Sequence, residues 1–318
     1  LVTGASGFIG GALARRLVTD GHVVTAIVRD GDAPPGCVSV RGCLEDMATI
    51  DRAMSATDPD AVFHLAAQAI VPRAKRDPWG TFESNVRGTY NLLESFRRHA
   101  NDEASCVVAS SDKAYGELLS GAYREDAPLM GRGPYDCSKS CADLLAQSYA
   151  REYALRIAVV RAGNVYGPGD THPTRLVPSV VRDIADRIPV RITSDGRPVR
   201  DYLYIDDAVE AYLAVDAYAR NIADLERLEG RRHWAFNFSG GEAVSVKELV
   251  DEAVLAASSL GIPPGGQPVV LGTRRGELGY QALDTRLSRT VLKWRPRVDL
   301  YGGLRRTIAD FVGGHMGL

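Results

Sequence analysis

No stretch of this chain is long and apolar enough to cross a membrane. Its apolar runs stop at four to six residues, where a spanning helix needs roughly 18. No basic-then-apolar leader opens it either, although it begins inside a strand pattern, so a few residues are expected to precede Leu1. An excess of one charge is also missing. With 38 Lys and Arg against 40 Asp and Glu the net charge is -2, which gives no broad field for nucleic acid or an anionic membrane. Cysteine is scarce and odd in number: Cys37, Cys43, Cys106, Cys137 and Cys141 show no metal-ligand spacing. They are read as small core residues in a reducing, cytoplasmic setting. Cys137 falls between Tyr135 and Lys139, but on a helix it would point away from their shared face, so no catalytic thiol is expected. The six histidines are scattered, and no metal is expected. Internal repeats and low-complexity segments are absent as well.

What is present is a 45% hydrophobic chain of 318 residues, enough for one large core or two joined lobes. Its first ten residues are organised. Leu1-Val2-Thr3 reads as the end of a buried strand, Gly4-Ala5-Ser6-Gly7-Phe8-Ile9-Gly10 spaces its glycines three apart, and a helical pattern, Ile9, Leu13, Leu17, follows. Small residues there let the backbone turn tightly and approach a pyrophosphate at a helix N-terminus, where free N–H groups and the helix dipole favour anions. Glycine spacing alone would suit an ordinary turn. Strand, glycine turn and helix in that order point to a dinucleotide site.

Two further segments carry reactive groups. Val108-Ala109-Ser110-Ser111-Asp112-Lys113-Ala114-Tyr115-Gly116 sets a hydroxyl, a carboxylate and an amine side by side after an apolar run. Tyr135-Asp136-Cys137-Ser138-Lys139 sets a phenol and an ammonium one helical turn apart, roughly 6 Å along one face. An ammonium favours the phenolate, so Lys139 is expected to lower the Tyr135 pKa and make it a base. Such groups move a proton while a hydride moves.

Apolar runs recur at 23–28, 61–66, 106–110, 157–161 and 234–238, with helical stretches such as 81–99 and 135–153 between them. Continuous apolar strands alternating with helices predict an α/β fold, a doubly wound parallel sheet with ligands beyond the strands' carboxyl ends. After about residue 165, Gly167-Pro168-Gly169 and Pro173 break the pattern before a helix near 176–187. The expected division is a dinucleotide-binding part, 1–165 plus about 204–238, and a smaller, mainly C-terminal substrate-binding lobe, 166–203 plus 239–318. Asp224 to Arg232 reads as a surface loop or frayed helix end.

With these motifs in order, the chain resembles the extended short-chain dehydrogenase/reductase family, the NAD-dependent epimerases and dehydratases built on a Rossmann sheet. The likeness runs over essentially its full length. His64-Leu65-Ala66-Ala67-Gln68, Asn85-Val86-Arg87-Gly88-Thr89, Arg161-Ala162-Gly163-Asn164-Val165-Tyr166-Gly167 and Arg200-Asp201-Tyr202 extend it. It looks most like the nucleotide-sugar 4,6-dehydratases. In these an Asp follows the catalytic Ser or Thr, and the next residue is Glu in the dTDP-glucose type but Lys in the CDP-glucose type; here they are Asp112 and Lys113. A 4-epimerase needs Ser111, Tyr135 and Lys139 but has no evident use for Asp112 as an acid, and a non-catalytic NAD(P)-binding scaffold is a remote alternative.

The resemblance implies a catalytic set of Ser111, Asp112, Lys113, Tyr135 and Lys139. Tyr135 would take the C4 hydroxyl proton, Ser111 would orient that oxygen, Asp112 would protonate the departing C6 hydroxyl, and Lys113 would be the C5 base or else a charged orienting group. The cofactor would lie against Gly4, Ser6, Gly7, Phe8, Ile9, Gly10, Arg29, Leu44, Leu65, Ala66, Ala67, Tyr135 and Lys139. NAD-using relatives often end the second strand with an acid; here Val28 precedes Arg29 and Asp30, and Cys43-Leu44 stands where relatives often have Asp-Leu. That favours NADP over NAD, as in the GDP-mannose dehydratases, though Asp30 could still reach the ribose. The nucleotide sugar would meet Gln68, Asn164, Arg200 and Arg274, arginines suiting phosphate. Relatives pair through helices matching 81–99 and 135–153, so a homodimer is expected, with Leu144, Ala146 and Tyr149 on the outer face unless they pack on the chain's own sheet.

Overall fold

The computed structural model describes residues 1–117, 121–222, 232–272 and 279–315. β1 (Val2–Thr3), β2 (Val24–Val28), β3 (Cys37–Arg41), β4 (Ala61–His64), β5 (Ser105–Ala109), β6 (Ile157–Ala162) and an edge strand, Ala235–Phe238, form one seven-stranded sheet. Every pairing within it is parallel. The order is β3-β2-β1-β4-β5-β6 with Ala235–Phe238 outermost. β1 therefore lies between β2 and β4, and the winding reverses there, opening a crevice at the strands' carboxyl ends.

Both faces are covered, which is why the strands read as continuous apolar runs. Val2, Ala26, Phe63, Val107 and Val160 pack with helices α1 (Phe8–Thr19) and Ile205–Arg220 on one face. Ile27, Val62, Cys106, Val108 and Val159 pack with Met47–Thr57, Gly88–His99 and Pro134–Glu152 on the other. Adjacent residues of β5 belong to opposite cores, as a pleat of period two requires. A third apolar cluster joins helices Leu176–Ala185, Val246–Ser259 and Leu300–His315 around Val180, Ile184, Leu249 and Leu304.

Several expectations are corrected. β3 lies outside the apolar runs because it is half-exposed along its length, as suits a sheet edge. The stretch expected as helical over 81–99 is helical throughout, as Pro78–Phe82, a π-turn over Glu83–Arg87, and Gly88–His99. The wider turn places the buried Asn85 carboxamide between two elements, accepting from Gln68 N at 2.6 Å and donating to Ser138 Oγ at 2.8 Å. Ala146 is fully buried in the sheet-facing core, whereas Leu144 is exposed. Of the cysteines only Cys106 is fully buried; the other four are half-buried thiols. The 224–231 part of the expected surface loop lies outside the described residues.

Candidate active site

The residues that follow β1, β4, β5 and β6 line one cleft of about 1040 Å³. At its β1 end the Gly4 carbonyl lies so close to α1 that a Cβ at Gly10 would come within 2.2 Å of its oxygen. Gly4 itself has φ +75°, and a Cβ there would sit 2.7 Å from Ala66 N. α1 begins at Gly7 with no side-chain cap and no acidic residue in its first turn, so its N–H groups remain available to an anion. This backbone cradle fits the pyrophosphate of a dinucleotide.

His64 locks the crevice from below. Its Nδ1 lies 2.8 Å from Thr3 Oγ1 and its Nε2 3.0 Å from Thr89 Oγ1. Thr89 donates to Asn85 O at 2.6 Å, so Nε2 carries the proton and Nδ1 accepts from Thr3, which itself accepts from Ala66 N. Burial pulls the His64 pKa down to about 3, so the ring is neutral.

The reactive set stands at the end of β5. Ser111 caps a 3₁₀ turn, Asp112–Tyr115, its Oγ accepting from Lys113 N at 3.2 Å and donating to Asp112 Oδ1 at 2.9 Å. Asp112 is 2% exposed, and its Oδ2 has no partner among the described residues. Lys113 turns to the C-terminal part of the chain, donating to Gln281 Oε1 at 3.0 Å. Tyr135 and Lys139 both project into the cleft from helix Pro134–Glu152. Lys139 Nζ donates to Ala109 O at 2.7 Å, and burial lowers its pKa to about 8, with Asp143 opposing.

The expected lowering of the Tyr135 pKa is not found in the polypeptide alone. Burial pushes the phenol up to about 12, partly offset by a hydrogen bond with Ser111, while Asp112 and Asp136 add to the rise and Arg175 opposes it. Desolvation by the packed cleft is the largest influence, and the Lys139 ammonium one turn away is itself bonded to a carbonyl and lowered by burial.

Every described residue expected to touch cofactor or substrate lines this cleft. Asn164 donates Nδ2 to Asp201 O at 3.2 Å and Arg200 donates NH1 to its neighbour Val199 O at 2.7 Å. Arg274 lies outside the described residues. Arg29 Nε donates to Asp30 Oδ2 at 2.8 Å in an exposed pair at the end of β2. Sequence reasoning missed Arg175, held by the buried Asp170 at 2.9 Å, close enough to act on Tyr135. The Asp170/Arg175 spacing beyond Gly167-Pro168-Gly169 is the signal that could have found it.

A family model described as the NAD dependent epimerase/dehydratase family matches residues 1–226. The chain belongs to this family. The dTDP-glucose 4,6-dehydratase of Streptomyces griseus is 33% identical over 97% of this chain and 92% of its own length. The UDP-glucose 4-epimerase of Mycolicibacterium smegmatis is 30% identical over 98% of this chain and 97% of its own. Among solved structures, the dTDP-glucose 4,6-dehydratase DesIV of Streptomyces venezuelae, with NAD bound, superposes with a TM-score of 0.84 at 27% identity, covering 99% and 97% of the two chains. The UDP-glucose 4-epimerase of Thermotoga maritima, with UDP-glucose, gives 0.86 at 28% identity over 99% and 98%. The extended short-chain dehydrogenase/reductase fold is thus shared with dehydratases and epimerases alike. Among the described residues no helix is long and apolar enough to cross a membrane, and no group of three or more metal-ligating side chains converges.

Proposed function

We propose that this protein is a nucleotide-sugar 4,6-dehydratase converting a nucleoside-diphosphate hexose to its 4-keto-6-deoxy form. The observation that carries the reading is Asp112, a carboxylate buried at the end of β5 with one oxygen unpartnered, between the hydroxyl of Ser111 and the amine of Lys113. Epimerisation at C4 has no step for a second acid and base at this point.

A nicotinamide held against Gly4, Gly7, Gly10, Tyr135 and Lys139 would supply the acceptor for the C4 hydride and its donor to C6. Tyr135 removes the C4 hydroxyl proton, and Ser111 holds that oxygen. The ketone acidifies C5–H, whose proton passes to Lys113 while its electron pair enters the C5–C6 bond. The C6–O bond breaks with its electrons on oxygen, and Asp112, in its protonated form, gives that oxygen its proton so that water leaves; Lys113 returns its proton to C5 once C6 has gained the hydride. Asn164, Arg175 and Arg200 line the same cleft and would meet the diphosphate, since guanidinium forks match phosphate oxygens.

NAD is the cofactor assigned here. Arg29, the residue that suggested NADP, is engaged by Asp30, which leaves a carboxylate at the strand end for a ribose hydroxyl, and several similar solved structures carry NAD. Titrating the two cofactors is expected to give tighter binding of NAD; tighter binding of NADP would reverse the assignment. The division into 1–165 plus 204–238 for the dinucleotide and 166–203 plus 239–318 for the sugar nucleotide follows the same logic. A homodimer is supported by exposed Trp79, Phe82, Tyr90, Leu144 and Tyr153 on the helices concerned, a surface on which Leu144→Glu should give a monomer by sedimentation.

The activity is tested by incubating the protein and NAD with dTDP-glucose, CDP-glucose, UDP-glucose and GDP-mannose, followed by proton NMR. A new C6 methyl signal from one of them is expected. A C4 epimer without a methyl would assign the chain to the epimerases instead.

A further inference from the structure

We propose that Gln281 positions Lys113 for the elimination, its amide oxygen holding Nζ whether or not the amine carries the extra proton. The inference rests on the dehydratase reading and adds to it a residue from the other end of the chain. Gln281 is 0% exposed, and its Oε1 accepts from Lys113 Nζ at 3.0 Å. Its backbone is fixed from two sides. Gln281 N donates to Val199 O at 3.1 Å, the next residue's carbonyl accepts from Tyr123 N at 2.9 Å, and Leu283 N donates to Asp201 Oδ2 at 2.5 Å. The amide orientation follows from its partner, because a flipped group would turn its N–H bonds toward those of the lysine. Its Nε2 has no partner among the described residues. An isosteric apolar side chain would avoid burying that unpaired donor, so only the oxygen's contact with Lys113 accounts for a glutamine here.

A neutral acceptor suits a lysine that must lose a proton to act as a base. The surroundings of Lys113 already hold Asp112 on its own turn and Asp136 on helix Pro134–Glu152, whose pKa Lys113 helps to lower against burial. Tyr135, Tyr123 and Asp201 also feel Asp112, and Arg175 acts on Tyr135. A third carboxylate at 281 would bind the proton to Lys113 more tightly, whereas an amide oxygen accepts from –NH₃⁺ and –NH₂ alike. The amine can then give up its proton while Gln281 still holds it in the cleft.

The test uses the full chain with NAD and whichever of the four nucleotide hexoses above the wild type dehydrates. Gln281→Met removes the acceptor at nearly constant volume and should lower kcat and C5–H exchange in D₂O together by about 10- to 100-fold, with KM little changed. In a Lys113→Met background the same substitution should cost nothing further. Gln281→Glu should move the acid limb of the kcat–pH profile upward by about 1 to 3 units, with activity recovering at alkaline pH. A wild-type rate for Gln281→Met, additive losses in the double variant, or an unmoved acid limb would each overturn the role. A wild type that dehydrates none of the four substrates would instead remove the reading beneath it, a result visible before any variant is made.

Discussion

Two neighbouring parts of the cleft are built in different ways. Ser111, Tyr135 and Lys139 belong to the end of β5 and one helix beside it, and the anchor of Lys139 is the carbonyl of Ala109 on that same strand. Asp112 and Lys113 follow the same strand, on a 3₁₀ turn, but Lys113 finds its partner 168 residues away at Gln281. In the proposed reaction the first set would handle the proton at C4, and the second would distinguish elimination from epimerisation. The second set depends on how the C-terminal part of the chain pairs beside Val199 and Tyr123. On that reading shared chemistry is held locally, and specialised chemistry is held across the fold.

The comparison breaks first at Tyr135. Tyr135→Phe should reduce turnover by about 10²- to 10⁴-fold and abolish the absorbance of reduced nicotinamide in a single turnover, since C4 oxidation fails before anything else. Retained reduction would move the base elsewhere. Asp112→Asn should instead leave reduction and C5 exchange detectable while methyl formation drops by about 10²- to 10³-fold. If both half-reactions fall equally, Asp112 serves the first set and the separation is lost. Lys113→Met should suppress C5 exchange in D₂O but permit C4 oxidation; exchange at the wild-type rate would show that another base acts.

The smallest effect concerns stability. His64 is held neutral with a folded pKa of about 3 against an ordinary value of 6.5. The folded state therefore resists protonation that the unfolded chain accepts. This stabilisation is complete above pH 6.5 and is lost as pH falls from there toward 3. The wild-type melting temperature should drop more steeply across this window than that of His64→Gln, even though the variant starts lower at neutral pH. Parallel slopes would remove His64 from the acid response.

Legibility followed the same division. The glycine turn, the five apolar strands and the Tyr135/Lys139 pair carry local signals of spacing and period, and the structure places them together. β3 has no such signal, because an edge strand half-open to solvent needs no apolar run. The π-turn at Glu83–Arg87 depends on Asn85 reaching Gln68 and Ser138, contacts invisible to periodicity. At Tyr135 sequence spacing shows the ammonium one turn away but not the burial that raises the phenol's pKa in the polypeptide alone. Gln281 is a lone amide with no motif around it; the pairing of its segment with Val199 and Tyr123 brings it to Lys113.

The claim that one site couples oxidation at C4 to elimination across C5 and C6 is tested most directly with a nucleoside-diphosphate glucose deuterated at C4. The account predicts that the deuterium reappears in the product's C6 methyl group as CH₂D, read by NMR. Deuterium retained at C4 of an epimerised sugar, with no methyl formed, would contradict it.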